Sequence, residues 1–258
     1  MENLRLSCIQ SALYWKDIRK NHEHFEKKIT SIAEPSDIIV LPEMFTTGFI
    51  MEPAKFAEKM DGQTVTWMKK IAAAKNALLI GSIIIEEENL YYNRLLAVFP
   101  DGNIEYYNKR HLFAMAGEDK HYQQGDKNLI FKHKDWRIKT LICYDLRFPV
   151  WSRNQDSYDL LIYVANWPST RSFHWKILLQ ARAIENQAYV AGVNRVGLDG
   201  NKIPHSGDSC VFDPLGHLIS SFEPDEEKTE TIVLNKSHLK EIRKKLPFAK
   251  DSDSFRLG

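Results

Sequence analysis

Three reactive side chains stand just after strands that read as buried, and that placement is the first sign of chemistry. Glu43 follows the run DIIVL and a proline in DIIVLPEMF, Lys109 sits in YYNKRHLF, and Cys143 closes RIKTLIC and opens YDLRFP. Open α/β architectures put their sites at the carboxyl ends of strands. A carboxylate placed like Glu43 is drawn out of water, which suits it to general-base work. A lysine placed like Lys109 supplies fixed positive charge to a thiolate or to a tetrahedral intermediate. A cysteine at a strand-to-helix junction presents its sulfur on a sharp turn, where the amide of the next residue, Tyr144, can point at a developing oxyanion. Each group also has a plainer reading. Cys143 could be a packing thiol, Glu43 a strand-end acid turned to solvent and Lys109 a solvated cation. Glu118, in AMAGEDKHY, could pair with Lys109, orient a substrate or be an ordinary loop acid.

The elements that must hold these groups follow from periodicity. Residues 4–10 alternate apolar and polar and predict a strand. Ile18, His22, Phe25, Ile29 and Ile32 draw one stripe of a helix that begins near Asp17. Residues 37–41 form an unbroken apolar run, as in a strand covered on both faces. A helix over 65–74, a strand over 78–85 and a hairpin of 92–99 with 104–107 about Asp101-Gly102 come next. The second half repeats the alternation. Strands are expected over 137–143, 160–165 and 188–193, with a helix or turn starting near Pro149. A helix over 173–187 carries Ile177, Ala181, Ile184 and Ala188 on one face. A second hairpin, 211–212 with 217–222, turns at Asp213-Pro214-Leu215-Gly216, and a strand over 229–234 precedes a helix over 237–246. Helices mixed with strands and two hairpins imply an α/β chain with mixed rather than purely parallel sheets. Two sheets with helices outside them fit that many strands.

Composition narrows the function classes. The 258 residues carry 35 basic and 34 acidic side chains, so no net field draws the chain to nucleic acid or to an anionic membrane. Arg243, Lys244 and Lys245 are expected on the solvated, positive-tolerant end of the last helix. No apolar run approaches the roughly 20 residues of a membrane span, and the N-terminus lacks signal-peptide order. Three widely spaced cysteines, Cys8, Cys143 and Cys210, argue for a reducing compartment, and the cytosol is the expected one. No linker divides the chain, which reads as one domain over 1–258. Neither GxGxxG nor GxxxxGK[ST] occurs, so nothing points to a nucleotide fold.

Taken together, LPEMF, NKRHLF and ICYDLRFP, with CIQ before them and VANWP, ARAIENQAYV and DPLG after, resemble the nitrilase superfamily of carbon–nitrogen hydrolases over essentially the whole chain. The resemblance implies an αββα sandwich, often paired into homodimers through the helices beside the nucleophile strand. It implies Glu43 as general base, Lys109 as oxyanion-stabilising cation, Cys143 as nucleophile and Glu118 as the additional glutamate beside them. CYDLRFP and HLFAMAGE look most like the ω-amidase branch, which hydrolyses the terminal amides of 2-oxoglutaramate and 2-oxosuccinamate. Such a substrate keeps a carboxylate, and Arg147 and Arg171 are the candidates to grip it, since a guanidinium offers two parallel hydrogen bonds. The chemistry calls for no metal or organic cofactor.

Alternatives remain at this level. The same residues could act on a nitrile, an N-carbamoyl amino acid or another aliphatic amide, or the fold could serve as a non-catalytic small-molecule binder. A Cys–His pairing could recruit His111 or His174 to Cys143. His22 and His24, two apart on a helix, face different ways and cannot share a metal. Cys8 and Cys210 read as packing, Asp145 as a possible support for the nucleophile turn, and Trp167 and Trp175 as pocket wall or core.

Overall fold

The computed structural model describes residues 3–155 and 157–255. The first half runs β1 (Asn3–Gln10), α1 (Ile18–Thr30), β2 (Ile38–Val40), α2 (Gln63–Lys75), β3 (Leu78–Glu87), β4 (Leu90–Val98) and β5 (Ile104–Asn108). The second runs β6 (Ile130–His133), β7 (Trp136–Ile142), α3 (Pro149–Ser152), β8 (Leu160–Ala165), α4 (Ser172–Asn186), β9 (Tyr189–Asn194), β10 (Val196–Leu198), β11 (Pro204–Ser206), β12 (Cys210–Phe212), β13 (Lys228–Asn235) and α5 (Lys236–Lys245). One sheet has the order β13-β1-β2-β3-β4-β5 and the other β12-β9-β8-β7-β6, with β10 and β11 as a separate pair. Both are mixed: β1-β2-β3 and β7-β8-β9 are parallel, and antiparallel strands flank them.

Side-chain alternation divides the core into layers. Leu4, Leu6, Ile38, Val40, Leu78 and Ile80 point from the first sheet toward Ile138, Ile142, Leu160 and Ile162 of the second. Their neighbours Ile39, Leu41 and Leu79 point the other way, onto Phe25 and Ile29 of α1 and Met68 and Ile71 of α2. Period-two strands thus feed two apolar layers at once. Each fully buried Leu or Ile contributes about 1.5–3 kcal/mol. Helix α1 starts where Asp17 caps it, accepting the Lys20 amide at 3.0 Å. Across the second sheet, Gly192 lets α4 approach: a Cβ there would lie 2.3 Å from Leu179. The αββα arrangement is therefore the one expected.

Three expectations need correction. On α4 the buried residues are Trp175, Leu179, Arg182, Ala183 and Asn186, whereas Ile177 and Ile184 are about half exposed. The helix carries apolar residues on two faces. The core takes the one whose polar members find partners through most of their donors, with Arg182 Nη2 donating to the Leu146 carbonyl at 2.7 Å and Nη1 to Glu185 at 3.0 Å. The second hairpin forms its turn, held by Asp213 accepting from the amides of Leu215 and His217, but pairs only at Phe212–Leu218. Residues 217–222 are not a strand. Strands β6, β10 and β11 were not expected at all. Among the described residues, no helix is long and apolar enough to cross a membrane.

Candidate active site

Four strand ends converge between the two sheets. Glu43 follows β2, Lys109 follows β5, Cys143 follows β7, and Asn166 follows β8. Lys109 Nζ lies 2.9 Å from Glu43 Oε1 and 3.0 and 2.9 Å from the two oxygens of Glu118, and all three residues are buried. Gly125 helps to hold the lysine in place. Its amide donates to the Lys109 carbonyl at 2.8 Å, and a Cβ on it would strike the Asn108 carbonyl oxygen at 2.2 Å. An ammonium has three N–H bonds. All three face carboxylate oxygens here, so a proton offered to an oxyanion must come from the forked contact with Glu118.

Cys143 opens a short 3₁₀ turn, Cys143–Arg147, with φ 43°. A left-handed non-glycine residue is uncommon and lifts the side chain out of the strand direction. The leading amides of such a turn, Tyr144 among them, have no carbonyl partner within it. Asp145 stabilises the turn: its carboxylate accepts from the Ile142 amide at 3.0 Å, Tyr107 Oη at 2.8 Å, and the His111 amide and Nδ1 at 3.0 and 2.8 Å. His111, stacked on Phe148, is thus committed to Asp145, and the exposed His174 meets Arg147 at 3.0 Å. Neither histidine is paired with Cys143. Cys8 and Cys210 are buried strand residues.

The electrostatics favour a resting thiol. Burial pushes the Cys143 thiol well above its usual range, and the Glu43 charge adds to this; Lys109 opposes it without prevailing. Burial disfavours a charged Lys109, but the carboxylates of Glu118 and Glu43 outweigh it and hold the ammonium protonated. Burial raises Glu118 against the pull of Lys109. Lys109 therefore keeps its proton, and Cys143 rests as the thiol.

Glu43, Lys109 and Cys143 line a cavity of about 960 Å³ together with Tyr144, Arg147, Trp167 and Arg171, with Glu118 behind Lys109. Arg147 lies over the Trp167 ring at 4.9 Å and Arg171 over Phe113 at 5.4 Å. Among the described residues neither guanidinium meets a carboxylate. Trp167 walls the cavity, and Trp175 is core.

Sequence reasoning missed two residues. The Asn166 amide donates to Glu43 Oε2 at 2.8 Å and its side chain to the Glu43 carbonyl at 2.5 Å. Its signal was present, since it follows the apolar run LLIYVA as Cys143 follows its own strand. Asn93 in β4 donates to Glu43 Oε1 at 2.7 Å. Set beside Arg94 in the middle of β4, it carried no mark in the sequence.

Two docked mixed sheets, with a buried carboxylate–lysine cluster beside a cysteine on a left-handed turn, define a class that comparison with known proteins identifies. Residues 5–244 match the carbon–nitrogen hydrolase family model, and the chain belongs to that family. It is 48% identical to omega-amidase YafV of Escherichia coli K12, with all of both chains covered. It is 30% identical to the 2-oxoglutaramate amidase of Bacillus subtilis, over 95% of this chain and 96% of that one. Among solved structures it is similar to XC1258 of Xanthomonas campestris, a CN-hydrolase superfamily protein with an arsenic adduct in its active site. There the TM-score is 0.97 and the identity 43%, with both chains fully covered.

Proposed function

We propose that this enzyme hydrolyses the terminal amide of a 2-oxo dicarboxylic monoamide, 2-oxoglutaramate or 2-oxosuccinamate, to ammonia and the matching dicarboxylate. The observation that carries this reading is the pair of guanidiniums without carboxylate partners in the cavity that holds Cys143, Glu43 and Lys109. The names of the relatives above agree with it.

Glu43 takes the thiol proton as the sulfur attacks the amide carbon. The oxyanion is met by Lys109 and the Tyr144 amide, with Glu118 holding Lys109 in place. The C–N bond then breaks, Glu43 returns the proton to the departing nitrogen, and ammonia leaves a thioester on Cys143. Water, deprotonated by Glu43, hydrolyses that thioester. The apolar face left open on α4 and the unpaired cysteines support a homodimer working in the cytosol.

The test is the mass of the intact protein quenched during turnover of 2-oxoglutaramate. An acyl adduct on Cys143 is expected, and Cys143→Ala should show neither adduct nor ammonia release. Cys8→Ser and Cys210→Ser should keep turnover. Substantial hydrolysis by Cys143→Ala would make Cys143 a packing thiol and end the proposal.

A further inference from the structure

The donors around Glu43 are distributed so as to decide where a proton can go. Each carboxylate oxygen offers two in-plane lone pairs. Oε1 of Glu43 receives Lys109 Nζ at 2.9 Å and Asn93 Nδ2 at 2.7 Å, so both of its lone pairs are taken. Oε2 receives the Asn166 amide at 2.8 Å. Apart from the Cys143 thiol, which hydrogen-bonds the Glu43 side chain, nothing else among the described residues donates to this carboxylate, and the lone pair left open is on Oε2. Glu118 is different. Its Oε1 faces Lys109 at 3.0 Å and Asn93 at 3.5 Å, and its Oε2 faces Lys109 at 2.9 Å and the Phe113 amide at 2.6 Å. It cannot accept a proton without surrendering a donor. The two carboxylates, alike in type and burial, are thus unlike in what they can do.

Asn93 touches every member of this cluster. Its side-chain nitrogen reaches both carboxylates, and its carbonyl accepts the Lys109 amide at 3.0 Å. Its own Oδ1 is buried without a partner. Leaving a buried acceptor unpaired costs free energy. Turning the amide over would cost more, because it would set that oxygen against two carboxylates.

We infer that Asn93 is a positioning residue which, with Lys109, fills Oε1 of Glu43 and confines proton uptake to Oε2. The inference rests on Glu43 being the base. As the S–H bond breaks, its proton passes to Oε2 while the sulfur's electron pair forms the C–S bond. As the oxyanion collapses and the C–N bond breaks, the same Oε2 returns the proton to nitrogen.

The experiment compares Asn93→Asp and Asn93→Leu, both near asparagine in size, with the parent enzyme and with Glu43→Gln. It reads kcat, KM and the pH profile on 2-oxoglutaramate, per folded molecule by circular dichroism and melting. The Asn93 variants should lose about tenfold or more in kcat with KM within about threefold. The acid limb of the profile should move to higher pH, because two buried carboxylates lose a shared donor. Asn93→Ser is small and its hydroxyl stops short of Glu43. It should show the same two changes, and it carries the test if the larger variants do not fold. Activity retained by Glu43→Gln would show the base to be misassigned. An inactive Glu43→Gln beside Asn93 variants with parental kcat and acid limb, even if they melt lower, would overturn the role of Asn93 alone.

Discussion

Cys143 is held at φ 43° at the head of a turn supported by a fully buried Asp145. A conformation of that kind costs about 1–3 kcal/mol and persists only where its surroundings over-determine it. Four donors on one carboxylate do so here. The same turn brings Arg147 into the cavity, four residues after the sulfur. A substrate carboxylate entering that closed space without a cation would lose several kcal/mol of hydration, and Lys109 is already committed to Glu43 and Glu118. Arg147→Lys should therefore raise KM for the acidic amide about tenfold, and Arg147→Ala up to about a hundredfold. A neutral aliphatic amide should be much less affected. Steady-state kinetics on both substrates decide the matter: equal losses would make Arg147 a support of the turn and move carboxylate recognition to Arg171.

At the scale of elements, the β10–β11 hairpin extends beyond the main sheets and contributes Asp199, Asn201 and His205 to the cavity wall. Burial pushes His205 down to about 4, helped by the Arg195 charge and opposed by Asp199. The folded protein thus holds this imidazole neutral while the unfolded chain protonates it below the usual 6.5. Stability from this source is complete above that value and drains away as the pH falls toward 4, to a loss of about 3 kcal/mol. Urea unfolding of the parent and of His205→Gln at pH 7 and pH 4.5 should show a smaller acid loss in the variant. Equal losses would place the acid sensitivity elsewhere.

This hairpin was not legible in the sequence, because VGL and PHS offer no alternation to read. Cys143 was legible because it directly follows an apolar strand and Glu43 because it follows one by a proline, whereas Lys109, after the polar strand IEYYN, drew its weight from its order with the other two. Asn93 was not: its importance comes from Glu43, fifty residues away, and only the pairing of β3 with β4 brings them together. Helix α4 shows the limit of periodicity. It offers two apolar stripes, and the choice between them is made by the hydrogen bonds of Arg182 and Asn186, which no stripe encodes.

At the scale of the whole molecule, the stripe that α4 does not bury is the seam to test for the proposed homodimer. Phe173 is 70% exposed, and Ile177, Ile184 and Val150 are each close to half exposed, on α4 and the neighbouring α3. Apolar side chains grouped in this way mark an interaction surface, and a patch that meets its own copy closes a two-fold pair. Sedimentation at micromolar concentration should give twice the chain mass. Ile177→Glu combined with Ile184→Glu should shift it toward the single chain, because charges would be carried into the seam. A parent protein sedimenting as a monomer would remove the dimer and leave the chemistry untouched.

The cluster around Glu43 also ties reactivity to completed folding. Glu43 and Lys109 come from one sheet, Cys143 and Asn166 from the other, and the Asn166–Glu43 hydrogen bond spans 123 residues of chain. A chain emerging from the ribosome, or one with a single sheet formed, holds Cys143 apart from Glu43, the proposed nucleophile apart from its proposed base. Its thiol gains a proton acceptor only at the moment the two halves dock, which is also the moment that closes the cavity around it. On the proposed mechanism an immature molecule therefore turns over no amide, and the appearance of ammonia reports that the last large step of assembly has been taken.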